Sequence, residues 1–135
     1  MPDPRPRVLD VGNCNPDHSS IRAMLDRAFD VDIDRVMFVD EAIEKMQSNA
    51  YALAMVNRLI FDDSSEGIEL IRRAKADSSL HTVPIMMISN YEDAQARAME
   101  AGAVRGFGKA EIGKSPVIEL LAKYLPRKGA ATASV

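Results

Sequence analysis

The sequence predicts an α/β domain built on a parallel sheet, and three observations carry that expectation. Short apolar runs alternate five times with segments of helical periodicity. Two of the runs, "YALAMV" (51–56) and "VPIMMI" (83–88), are almost continuously apolar, as strands covered on both faces are. The connections carry helix start and stop residues in place of tight hairpin turns. A chain of 135 residues is long enough to bury one real core, and neither an internal repeat nor a second domain is visible.

Taken in order, "MPDPRP" (1–6) reads as an N-terminal tail. "RVLDV" (7–11) is the first strand. Asn15-Pro16-Asp17 then opens a helix with a cap residue, a proline at the first helical position and an acid in the first turn. Ile21, Met24, Leu25 and Phe29 recur at three- and four-residue steps and form its buried stripe. "RVMFV" (35–39) is the second strand, with Asp40 capping "EAIEKMQSN". After the third strand, Ser64 or Ser65 caps "EGIELIRRAKA". After the fourth, Asn90 with Asp93 starts "YEDAQARAMEAG", which stops at Gly102. "VRGFG" (104–108) is the fifth strand, and Ser115-Pro116 starts "VIELLAKYL", which ends before Pro126. The domain is thus expected over residues 7–125, with 126–135 a flexible tail.

Composition narrows the function. Apolar residues make up 47% and charged residues 27%, ordinary for a soluble globular protein. A formal charge of −3 gives no electrostatic case for nucleic acid. No apolar run reaches bilayer length, and the N-terminus lacks a signal-peptide core, so a cytoplasmic protein without membrane contact is expected. One cysteine excludes an internal disulfide framework, and two histidines with one cysteine are too few for a zinc site. Met55, Met86 and Met87 read as core filling.

In an open parallel sheet, ligands bind beyond the carboxyl ends of the strands. The positions that matter are therefore Gly12, Asn13 and Cys14 after the first strand, Asn57 and Arg58 after the third, Ser89 and Asn90 after the fourth, and Lys109 after the fifth. Strand-end Asn57, "VPIMMISN" with Ser89, and "EAGAVRGFGK" with Lys109 together resemble a response-regulator receiver domain. The resemblance runs from about Arg7 to Leu125. It implies a CheY-like, flavodoxin-like (βα)5 fold with strand order 2-1-3-4-5. Such receivers carry an acidic pair after the first strand, a phosphoacceptor aspartate after the third, a serine or threonine after the fourth and a lysine ending the fifth.

The departures matter as much as the match. The acidic pair falls on Gly12 and Asn13, and the phosphoacceptor position is Asn57. Lys109 is followed by Ala110 where the family usually has proline. The switch-aromatic position holds Gly106, and Phe107 should point into the core by strand alternation. The loop "RLIFDDSSEG" lacks the usual proline and is about two residues longer than the family's. Mg²⁺ needs carboxylate oxygens, and an amide cannot form an acyl phosphate, so the sequence describes a pseudo-receiver expected to bind no Mg²⁺. Lys109 is then expected to contact Asn57 or Asp10, or to remain a solvated lysine. Asp10 is singled out because it interrupts an apolar strand and must be paired if buried. Ser89 reads as a turn residue before a helix.

The leading expectation is a stand-alone module of two-component signalling that has no enzymatic activity or cofactor. It would meet a protein partner, such as a sensor kinase, through the face of helix 4, strand 5 and helix 5. Arg97, Glu100, Arg105, Lys114, Glu119 and Lys123 belong to that face. The alternative is a receiver phosphorylated on another acid, with Asp10, Asp62 or Asp63 the first candidates. A phosphatase-like enzyme fails because Cys14 and Arg22 have seven residues between them where a phosphate loop needs five, and Ser20 stands at the arginine position. A flavodoxin-like flavin protein fails for want of a phosphate nest and of any tryptophan.

Overall fold

A computed structural model describes residues 5–129. Five parallel strands form one sheet in the order β2-β1-β3-β4-β5, the predicted order. They are β1 (Arg7–Val11), β2 (Asp32–Val36), β3 (Leu53–Asn57), β4 (Ile85–Ile88) and β5 (Val104–Phe107). The intervening helices are α1 (Asn15–Ala28), α2 (Val39–Ser48), α3 (Ile68–Ala76) and α4 (Glu92–Glu100). A 3₁₀ turn (Lys109–Glu111) and α5 (Ser115–Leu121) complete the domain.

Strand alternation divides the core in two. Val8, Leu53, Met55, Met86, Ile88 and Phe107 pack beneath α1 and α5. Leu9, Val11, Ala54, Val56, Ile85 and Met87 pack beneath α2, α3 and α4. The predicted α1 stripe of Ile21, Met24 and Leu25 is at most 1% exposed. Each such side chain contributes about 1.5–3 kcal/mol through burial. Phe107 lies in the core at 2% exposure, on the same face as Val104 because the β4–β5 register shifts between them.

Several boundaries differ from the sequence reading. The second strand is 32–36 instead of 35–39. Its residues pair in register with β1, Arg7 with Asp32 through Val11 with Val36. Val39 consequently begins α2, and Phe38, not Asp40, is its N-cap residue. Cys14 holds the N-cap position of α1, with Asn15 already helical. Gly67, not Ser64 or Ser65, precedes α3, because residues 58–67 are occupied by a small hairpin. Helix α5 ends at Leu121, and turns carry the chain to Leu125.

The tails are also partly tied down. Arg5 donates to the Val31 carbonyl at 2.6 Å. Residues expected to be flexible after 125 include Arg127, which bridges antiparallel to Phe29, and Lys128, whose N–H bonds the Ala28 carbonyl at 2.9 Å. Residues 1–4 and 130–135, which complete the two predicted tails, lie outside the described residues. Among the described residues, no helix is long and apolar enough to cross a membrane.

Candidate functional site

The carboxyl edge of the sheet gathers the predicted positions. At the end of β3, Asn57 is 8% exposed, and its amide N–H donates to the Leu59 carbonyl at 2.6 Å. This strand-end amide therefore satisfies loop backbone. The loop that follows is a short antiparallel hairpin. Its ladder runs from Ile60 N–H to the Ser65 carbonyl at 2.8 Å and from Gly67 N–H to the Arg58 carbonyl at 2.8 Å. Folded in this way, residues 58–67 bend back over the end of β1. Phe61 N–H reaches the Gly12 carbonyl at 2.9 Å.

Gly12 sits beneath that hairpin with φ of +73°, in the left-handed region that side-chain-bearing residues avoid. A Cβ at Gly12 would lie 2.4 Å from the Ile60 Cδ1 and 3.2 Å from its Cα. Ile60 thus fills the space that any side chain at this position would need.

Asp10, fully buried in β1, points to the α1 face between Arg35 and Met55 of the flanking strands. Its Oδ2 accepts the His18 Nδ1–H at 2.5 Å, and its Oδ1 accepts an N–H of Asn13. Arg35 donates to the Asn13 main-chain carbonyl at 2.8 Å. Asn13 Oδ1 and Arg35 Nε are the buried side-chain polar atoms without a partner among the described residues.

Lys109 contacts neither Asp10 nor Asn57, a correction to the sequence expectation. Its ammonium pairs instead with Asp17 Oδ2 at 2.7 Å, in the first turn of α1. The reason is that His18 and Asn13 already occupy both oxygens of Asp10, and the Asn57 amide is turned toward its own loop. Burial alone would push the Asp17 carboxyl up, but hydrogen bonds from Lys109 and Cys14 outweigh it and hold the group below the usual carboxylate range.

Ser89 has its Oγ accepting the Tyr91 N–H at 3.1 Å, the turn geometry before a helix start. Between the ends of β3, β4 and β5 lies a cleft of about 420 Å³, lined by Asn57, Arg58, Ser89, Asn90, Tyr91 and Lys109 among others.

Comparison with known proteins places this geometry. No family model matches the sequence, and no curated protein matches it. Solved structures do match. A sensor protein from Polaromonas sp. JS666 is 22% identical, with a TM-score of 0.77 over 90% of this chain and 96% of that one. A proposed response regulator from Chloroflexus aurantiacus J-10-fl is 20% identical, with a TM-score of 0.76 over 89% and 97%. The phosphorylated cyanobacterial phytochrome response regulator RcpA is 16% identical, with a TM-score of 0.72 over 89% and 94%. The chain has the receiver fold.

Gly106, the residue expected at the switch-aromatic position, lies near the end of β5. A Cβ there would stand 2.1 Å from the Met87 carbonyl oxygen. The β4–β5 register shifts between Met86 and Ile88, so that two steps along β4 face three along β5. That extra residue places Phe107, not residue 106, opposite Ile88.

Two functional residues were missed in the sequence. His18 is the partner of Asp10. Gln95, 2% exposed on the inner face of α4, donates to the Met87 carbonyl at 2.9 Å and the Ser89 carbonyl at 3.1 Å. Its Oε1 accepts the Gly106 N–H at 3.1 Å. One side chain therefore ties α4 to the ends of both β4 and β5. Replacing Gln95 with alanine should strand that N–H and remove one donor from two carbonyls. The expected loss is about 2–4 kcal/mol in urea denaturation, with faster hydrogen exchange at the Gly106 amide. A loss below about 0.5 kcal/mol would show that the clamp is dispensable.

Proposed function

We propose that this protein is a pseudo-receiver, a module of two-component phosphorelay signalling that is not phosphorylated at the usual position and acts through protein contact. The observation that carries the reading is Gly12 in a left-handed conformation beneath Ile60. An acid at that position would meet both backbone strain and an occupied space. Asn13, at the neighbouring acid position, gives its amide N–H to Asp10, and Asn57 gives its own to the loop. These residues do not fit Mg²⁺, a hard cation that needs carboxylate oxygens in near-octahedral array. Without a nucleophilic carboxylate or a metal to neutralise phosphoryl charge, the usual transfer has no route.

On this reading no residue is catalytic, no cofactor is held and the setting is the cytoplasm. The partner is another signalling protein, such as a sensor kinase, met over the face of α4, β5 and α5. Arg97, Glu100, Lys114 and Lys123 are exposed there. Arg105 pairs with Glu92, and Glu119 pairs with Arg127.

Intact-mass analysis after incubation with acetyl phosphate and Mg²⁺ tests the reading. We expect no adduct on the wild type or on Asn57→Asp, under conditions that fully modify a working receiver. The Asn57→Asp variant is informative because it restores the acceptor alone and leaves the acid pair absent. A stoichiometric adduct on the wild type would overturn the proposal, and mapping it to Asp10, Asp62 or Asp63 would reinstate a phosphorylation switch.

A further inference from the structure

The cleft at the ends of β3, β4 and β5 is lined by cationic side chains. The positions at which receivers carry three carboxylates hold Gly12, Asn13 and Asn57. The side chains lining the cleft include two cations, Arg58 and Lys109, and no carboxylate. Lys109 is engaged by Asp17 but remains 36% exposed at its side chain. Arg58 has no ion-pair or hydrogen-bond partner for its guanidinium among the described residues, and none of its nitrogens is a buried orphan. Its Cζ lies instead over the Tyr91 ring, 5.0 Å from the centroid. Stacking of this kind fixes the guanidinium while leaving its N–H edge free for a planar bidentate acceptor. Glu66 and Asp93 lie with Arg58 along the adjoining groove, yet neither comes within ion-pairing distance of it.

Two exposed apolar groups line the same cleft, Leu59 at 37% and Tyr91 at 60% exposure. Phe61, at 62%, and Phe38, at 38%, are exposed on loops at the same end of the sheet, over β1 and after β2. Cations set beside exposed apolar side chains are complementary to a chain that carries both carboxylates and large apolar side chains.

We propose that this cleft is a docking site for an acidic-apolar segment of a protein partner, with a carboxylate of that segment bound edge-on by Arg58. The inference rests on the contact-based reading above and adds where, and by what chemistry, contact is made. The cleft adjoins the start of α4, so one partner can span it and the α4 face together.

The test uses the ¹⁵N-labelled full chain and three probes at constant ionic strength. The first is a blocked hexapeptide of alternating glutamate and phenylalanine, the second its glutamine counterpart, and the third inorganic phosphate. The acidic peptide should saturably shift the amides of Arg58, Ser89, Asn90 and Tyr91. It should bind about tenfold more tightly than the glutamine peptide, a preference that shrinks as salt is raised. Arg58→Gln should abolish the preference while leaving the remaining amide spectrum in place. Equal binding of the two peptides would overturn the proposal, as would shifts confined to α5. Phosphate displacing the acidic peptide at comparable concentration would overturn it too, by making the cleft a phosphate cradle. These outcomes are separable from the mass experiment, since a phosphodonor adduct would defeat the pseudo-receiver reading without altering the peptide preference.

Discussion

Placing an aromatic in β5 by Gly106→Tyr is expected to abolish folding, and even Gly106→Ala should cost roughly 3 kcal/mol. Gly106 is fully enclosed, and its added Cβ would lie 2.1 Å from the Met87 carbonyl oxygen and 3.0 Å from the Met87 N and C atoms. All of these are backbone atoms, so no side-chain rotation relieves the overlap. The β4–β5 pairing would have to open at its bulge, or α4 would lose the Gln95 link to the Gly106 N–H. Urea denaturation of the alanine variant measures the cost. An alanine variant within about 0.5 kcal/mol of wild type would show that the strand pair yields easily.

The second large effect is expected at Asp10. Asp10→Ala leaves the His18 Nδ1–H and an Asn13 N–H without their acceptor in a fully buried setting. Removing one member of such a buried polar network typically costs about 3–5 kcal/mol, more than the net worth of its contacts. His18→Ala should cost less, because its ring is partly exposed at 13% and Asn13 still engages Asp10. A double-mutant cycle across Asp10 and His18 should return a coupling of about 1–3 kcal/mol. Additive losses would mean that the two side chains are neighbours without being partners.

How far the sequence alone reached can be seen residue by residue. The topology was legible because β3 and β4 are sheathed on both faces and wear continuous apolar runs. β2 was misplaced by three residues for the opposite reason. It is an edge strand whose Asp32 and Asp34 face water or side-chain partners and whose Arg35 reaches a main-chain carbonyl, so its apolar content is low. The greasier "MFV" that followed it belongs to the turn and to the first residue of α2. Asp10 was recognised as a buried acid needing a partner, yet the partner chosen was the distant lysine. Strand parity turns Asp10 toward α1, and the first turn of α1 carries His18, a signal present in the sequence and left unused. Gln95 shares its inward stripe with Ala98, so a polar interruption of that stripe was visible, but its targets are main-chain atoms that no pattern of side chains encodes. Gly12 was singled out at the end of β1, and the structure puts it there. What the sequence could not reveal was that Ile60 lies above it, because the contact depends on how a ten-residue hairpin folds back.

That contact makes position 12 and the 58–67 hairpin interdependent. A side chain at position 12 needs both a left-handed backbone and a displaced Ile60, so trimming Ile60 alone removes one obstacle and leaves the other. The hairpin therefore acts as a doorstop: the end of β1 cannot be rebuilt without rebuilding the loop that rests on it.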